Sequence, residues 1–330
     1  MTSRWYRAAL LACGIALLCY LVARIGTASI LTSFRELSWR LVLVAFFPCV
    51  VFKLFDILAW RYAFPTARPS FSRLASTLLA GQAVTETTPT GTLGGDAVRA
   101  WMLRDQVSLR DSFPSLVIVK TTGSASQGCF LLIGILVARW ALSSADTGLV
   151  RIMELLLLLE TIGVGGFIVV QMRGVMGGGH RLLARLGFSG GDTMGAAAEH
   201  IDRALANFYR RQPRRLALSF VFHLLAWVAS AYEVWLILYF LGQPVSPATA
   251  LVIEAFWAGI AFATFFIPGQ VGVAEGGAVA TFIALGLTAA TGLSFSLVRR
   301  VREVTWIGIG LLLLAARPIR SPTSIRSEAA

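Results

Sequence analysis

The sequence predicts an all-α, polytopic integral membrane protein, arranged as an inverted repeat with two re-entrant helical hairpins. Three observations lead there. The chain has 330 residues, 56% apolar and only 14% charged, with a mean hydropathy of +0.73, whereas soluble domains carry about 25% charged residues. Apolar stretches long enough for a ~30 Å hydrocarbon core recur at 8–23, 41–60, 114–138, 152–170, 216–241 and 304–316, the last with a polar lead-in from 294. Two polar segments broken by proline and glycine interrupt this pattern and resemble each other. Residues 1–330 are therefore read as one membrane domain.

Arg4 and Arg7 precede the first stretch as in a secretory signal, but no small-residue cleavage pattern follows and Arg24 closes the run, so 8–23 is expected to stay as a span. The formal charge of +12 does not point to nucleic acid, because the arginines sit in short connections between apolar stretches, where they orient a membrane protein. Cys13, Cys19, Cys49 and Cys129 lie inside apolar stretches without CxxC or Cys/His spacing, so neither a disulfide framework nor a metal site is expected. No cofactor motif is found.

Segment 173–215 carries Arg173, Arg181, Arg185, Arg203, Arg210, Arg211, Arg214 and Arg215 against Asp192, Glu199 and Asp202, and is placed on the cytoplasmic side. Counting spans outward puts both termini inside and leaves Arg24, Arg35 and Arg40 outside, against the rule. Gly174, Gly177, Gly178 and Gly179 read as a flexible link. Ile201, Leu205 and Phe208 then give an apolar stripe beside Arg203, Arg210 and Arg211, the pattern of a helix lying on anionic lipid headgroups.

The interrupting segments are 82–96 and 266–275, set within hairpins at about 71–105 and 248–291. Proline and glycine there break helices, and the freed polar groups need protein or a wet cavity. Pro89 precedes Asp96 by seven residues, as Pro268 precedes Glu275, with Gly91 and Gly94 in one copy and Gly269 and Gly272 in the other. Lys120 follows Asp96 by 24 residues, and Arg299 follows Glu275 by the same interval, in the spans 114–138 and 294–316. Three crossings separate the hairpins, so they enter from opposite faces. Interrupted helices at matching places in inverted halves point to a transport site near the midplane. A plainer alternative stays open, in which Asp96 and Glu275 only cap the helices that follow.

The two lysines, Lys53 and Lys120, both fall in apolar stretches, where a charge needs a partner. Asp56, three residues on, is expected to pair with Lys53. Lys120 has no local acid, so Asp96, Glu86 or an anionic headgroup is its expected counter-charge. Arg302 and Glu303, beside Arg299 and Arg300, form either an interfacial cluster or the wall of a polar cavity. Glu233 and Glu254 are further intramembrane carboxylates, and His223 reads as an ordinary packed side chain.

With Pro89 and Gly94-Gly95-Asp96-Ala-Val-Arg99 in the first half, and Pro268-Gly269-Gln-Val-Gly272-Val-Ala-Glu275 in the second, the chain resembles the transmembrane domain of lysylphosphatidylglycerol synthases, the flippase-like family, from about 40 to 316. It is most similar to the subgroup associated with hopanoid biosynthesis, through Val119-Lys120-Thr121, Ser126-Gln127, His223-Leu-Leu-Ala-Trp227, Glu233-Val-Trp235 and Arg300-Val-Arg302-Glu303. It departs from that subgroup where Thr122-Gly123-Ser124 replaces an acid shortly after the lysine. The resemblance implies a bacterial inner-membrane translocator of hopanoid or anionic phospholipid. Aminoacylation is not expected, since only a short polar segment follows Pro318. The alternative is a non-transporting scaffold that seats lipid-biosynthesis enzymes. No GxxxxGK[ST] or HExxH motif is found, so transport would be passive or ion-coupled and no enzyme activity is expected.

Overall fold

The computed structural model describes residues 39–88, 92–141, 147–172, 192–264, 270 and 272–317. The expected first span at 8–23, Cys13 and Cys19, the turn residues Pro89, Gly91, Pro268 and Gly269, and the glycine-rich link lie outside the described residues. Among the described residues every regular element is helical. The helices are α1 Arg40–Ala63, α2 Phe71–Thr87, α3 Thr92–Leu103, α4 Leu109–Ala141, α5 Thr147–Met172, α6 Asp192–Arg211, α7 Pro213–Phe240, α8 Pro247–Ala263, α9 Val273–Ala284 and α10 Ala289–Ala315.

Four stretches are long and apolar enough to cross a membrane: Val42–Ala63, Leu109–Ala141, Thr147–Gln171 and Pro213–Phe240. This is the pattern of a polytopic membrane protein. Helix α5 shows the inversion that lipid imposes: Leu155, Leu158, Leu159 and Ile162 face outward while Glu160 and Gln171 are buried. Local sequence sets the helix starts. Pro213 and Pro247 occupy first-turn positions, where a missing N–H costs nothing. Ser246 and Thr288 accept the backbone N–H groups of Thr249 and Thr291 as N-caps. That cap starts α10 at Ala289, earlier than the expected 294, and carries its polar lead-in into the helix.

Helices α1 and α7 run antiparallel as a central pair. Arg40 lies over the Phe240 ring at one end, and Arg215 donates to the Tyr62 and Arg61 carbonyls at the other. The second end also gathers the turn between α1 and α2, the turn between α3 and α4 and the end of α10, through Thr66 to Asp111, Ser70 to Gln106 and Arg317 to Asp105. Helices α2 and α3 pack as one short pair, α8 and α9 as another. Their lengths match, 17 and 12 residues in both cases, or about 25 and 18 Å, short of a ~30 Å core.

The long helix that follows each pair packs on the other pair: α4 on α8, and α10 on α2. Both crossings are close because of a glycine. A Cβ at Gly134 would lie 2.2 Å from the Ala255 Cβ, and one at Gly310 2.4 Å from the Leu79 carbonyl oxygen. Small residues at helix crossings are the usual device for close approach in membranes.

Helix α6 differs from the expectation of a helix resting on lipid. Leu205 and Phe208 are buried in a core shared with Trp60, Phe64 and Leu116, and Tyr209 donates to Gln171 at 2.7 Å. Burial pushes the Tyr209 phenol up, an effect partly offset by its hydrogen bond with Thr121. The apolar stripe finds protein first, while Arg203, Arg210 and Arg211 stay exposed.

Candidate functional site

Little more than one turn of α10 supplies Arg299, Arg300, Arg302 and Glu303, and helical geometry sends them in different directions. Arg299 is 2% exposed and pairs with Glu254 of α8 and, at 3.4 Å, with Glu233 of α7, two carboxylates that are themselves buried. Ser230 donates to Glu254 at 2.6 Å, and the guanidinium lies over the Trp257 and Phe295 rings. Arg302 also binds Glu233 and stacks on Phe52 of α1. Arg300 reaches Glu275 at 2.8 Å and Glu303 at 2.9 Å. Three arginines thus meet four glutamates. Each charge would cost about 3 kcal/mol at a bilayer centre alone, so their near balance is what makes burial tolerable.

Glu275 does two jobs, since its other oxygen accepts the Gly272 N–H at 2.6 Å and closes the first turn of α9. The capping role is therefore realised here. Gly272 has φ of 81° and Gln270 a φ of 49°, so the chain enters α9 through left-handed backbone, at a cost for the non-glycine residue. Arg299, which the 24-residue interval singles out, is not the partner of Glu275. Arg299 and Arg300 sit about 100° apart on the helix, and only Arg300 faces α9.

In the first short pair, Asp96 on α3 takes Arg99 at 3.1 Å and Lys120 of α4, as the 24-residue interval suggests. Asp96 lies inside α3, beyond its first turn, so it is no cap. A Cβ at Gly81 would meet the Arg99 Cγ at 2.4 Å, and one at Gly95 would meet the Gly81 carbonyl at 2.5 Å, so these glycines let α2 and α3 close around the arginine. Two cations meet one carboxylate here. The Arg99 Nε–H is buried without a partner among the described residues, and the Lys120 side chain is 38% exposed. Gly94 is half-buried on the same helix.

The space between these clusters is bridged by α1 and α2. Lys53 bonds Gln82 rather than Asp56, and Asp56 meets His223 Nδ1 at 3.2 Å. Partners on neighbouring helices displace the local pair because both side chains point into the bundle. Lys53 stacks on the same Phe52 ring as Arg302, and Glu86 lies within electrostatic reach of Glu303, Lys53 and Arg300. Gln127 donates to the Ala258 carbonyl at 2.6 Å and links α4 to α8. Thr122 bonds Ser219 at 2.9 Å and links α4 to α7.

Ser230 and Gln82 join the network without having been singled out by sequence spacing, since their partners are distant in the chain. Glu160 is another buried acid, signalled only by its position in an apolar run. No group of three His, Cys, Asp or Glu side chains among the described residues is placed to hold a metal ion.

No curated protein and no solved structure matches the chain. The sequence pattern of the family described as "Lysylphosphatidylglycerol synthase TM region" matches residues 5–311. That match spans every helix of the charge network, and the chain belongs to the lysylphosphatidylglycerol synthase transmembrane-region family.

Proposed function

We propose that this protein is a lipid translocator, one that carries an amphiphile with an anionic headgroup between leaflets and makes or breaks no covalent bond. The observation that carries this reading is the band of buried and half-buried charge from Asp96 and Lys120 to Arg299 and Glu254, held between two short helix pairs inside a membrane bundle. Structural salt bridges alone would be balanced throughout. The excess cation at Lys120 and Arg99 is where a phosphate or carboxylate headgroup fits.

The inverted repeat belongs to the same proposal. The matched lengths of the short pairs, the antiparallel α1 and α7, and the exchange of α4 and α10 between halves all support it. On this reading Pro89 with Gly91, and Pro268 with Gly269, form the tips of re-entrant hairpins that enter from opposite faces. Resemblance to the hopanoid-associated subgroup favours a hopanoid or an anionic phospholipid as cargo in a bacterial inner membrane. Positive charge on 173–215 favours cytoplasmic termini, with Arg203, Arg210 and Arg211 against anionic headgroups.

The test is a leaflet assay in reconstituted vesicles with labelled anionic phospholipid. The parent protein is expected to move lipid, and Asp96→Asn, Lys120→Ala and Glu275→Gln to lose most of that rate while staying folded. Folded variants as fast as the parent would remove the proposed site. A parent that moves no lipid but co-purifies with lipid-synthesis enzymes would identify an accessory scaffold instead.

A further inference from the structure

Glu160 sits midway along α5, directly after five leucines, and is 1% exposed. It turns inward onto α4, where a Cβ on Gly128 would lie 3.5 Å from its carboxyl carbon. Neither oxygen has a hydrogen-bond partner among the described residues. The other fully buried glutamates differ in this respect: Glu233, Glu254 and Glu275 each face an arginine.

The helices packed on α5 offer no counter-charge. On α4, Lys120 is bound to Asp96 and Arg139 to Glu154, leaving the Cys129 thiol as the titratable neighbour of Gly128. On α8, Glu254 is held by Arg299, and α9 brings only Glu275, held by Arg300. On α6, Tyr209 is bound at Gln171, three turns along α5 from Glu160, and the charged residues of that helix belong to the same distant end. An ionised carboxylate with no partner in such surroundings is very costly, and a group so placed takes up a proton instead.

A groove of about 440 Å³ runs between α4 and α5, lined by Leu132, Leu136, Leu157 and Thr161, with the Arg139–Glu154 pair beside it.

We propose that Glu160 is a reversible proton-binding site within the membrane: its carboxylate accepts one proton to become the neutral acid, and returns it when the site opens to water. If the protein translocates lipid as proposed above, this proton is the coupling ion.

The experiment uses the full chain in lipid vesicles and dicyclohexylcarbodiimide, an apolar reagent for protonated carboxyl groups. The acid adds across the carbodiimide, its proton passes to nitrogen, and the adduct rearranges to an N-acylurea, so the peptide gains one reagent mass. Labelling at Glu160, read by peptide mass spectrometry, is expected to fall about tenfold per pH unit above the midpoint of its titration. Glu233 and Glu254, each paired with arginine, are the controls expected to stay unlabelled. Infrared difference spectra between roughly pH 5 and 9 give a second reading, a protonated carboxyl band that titrates in the parent and is missing in Glu160→Gln. A carboxyl that stays unlabelled and shows no Glu160-dependent band overturns the proposal. So does a band that never titrates. Neither readout needs lipid movement, so vesicles that fail to translocate lipid would sink the translocator and leave the proton site standing.

Discussion

Arg299 of α10 and Glu254 of α8 form an ion pair with side chains only 3% and 2% exposed, and Glu233 of α7 shares the same guanidinium. One arginine therefore ties three helices. Replacing it by Met strands the buried Glu254 carboxylate while Glu233 keeps Arg302, and thermal unfolding in detergent is expected to show a loss of about 3–5 kcal/mol. Adding Glu254→Gln to Arg299→Met should recover much of it. An Arg299→Met variant as stable as the parent would show that the Glu254 carboxyl is already neutral.

Lys120 is the exposed member of the Asp96 cluster, and Arg99 remains beside Asp96 when it is removed. Lys120→Ala is therefore expected to keep its folded yield while the leaflet assay slows by about tenfold or more, a barrier change of ~1.4 kcal/mol. Lys120→Arg should restore part of the rate. Equal loss in both variants would argue for a shape effect rather than charge.

The crossing of α10 on α2 leaves no space at Gly310 but open space at Gly308. Gly310→Val should destabilise by about 1–3 kcal/mol through overpacking. Gly308→Ala, two residues away, should be neutral or slightly stabilising. The contrast is checked by unfolding both in the same detergent.

Tyr209→Phe removes the hydroxyl that anchors α6 to Gln171, at a cost of about 1 kcal/mol. Hydrogen exchange over 192–211 should rise while exchange in α4 and α7 is unchanged. Because burial raises the folded phenol above its ordinary value of 10.0, its contribution is full below that pH and is lost as pH climbs through the folded value. Faster exchange in α6 confined to strongly alkaline buffer is the expected signature.

The proposed entry of the two hairpins from opposite faces leads to a prediction about labelling. On a cysteine-free background, Arg110→Cys near the first short pair and Gln243→Cys ahead of the second should react with impermeant reagents from opposite sides of the membrane. Both positions are exposed. Reaction from one side only would rule out opposite entry.

Much of this architecture can be read from the sequence because membranes punish charge. The lone lysine at 120 needs a counter-charge, and the nearest repeat-related acid, Asp96, provides it. Chain spacing fails where helix phase decides: Arg300 rather than Arg299 faces Glu275, since neighbours on a helix point apart. It fails again at Lys53 and Asp56, whose partners Gln82 and His223 arrive from other helices. The stripe of α6 signals an apolar surface beneath it without saying whether that surface is lipid or protein, and here Leu205 and Phe208 find protein. Glu160 escapes spacing arguments altogether, because its distinguishing property is the lack of a companion.

The exchange of long helices between the halves has a consequence for assembly. Residues 39–172 made alone would carry α2 without the α10 that covers it, and 192–317 would carry α8 without α4. Each fragment would be left with a vacant seat shaped by the glycine of its missing counterpart. The two parts of the chain are thus mutual templates, and expressing them as separate polypeptides should give stable protein only when both are made in the same cell.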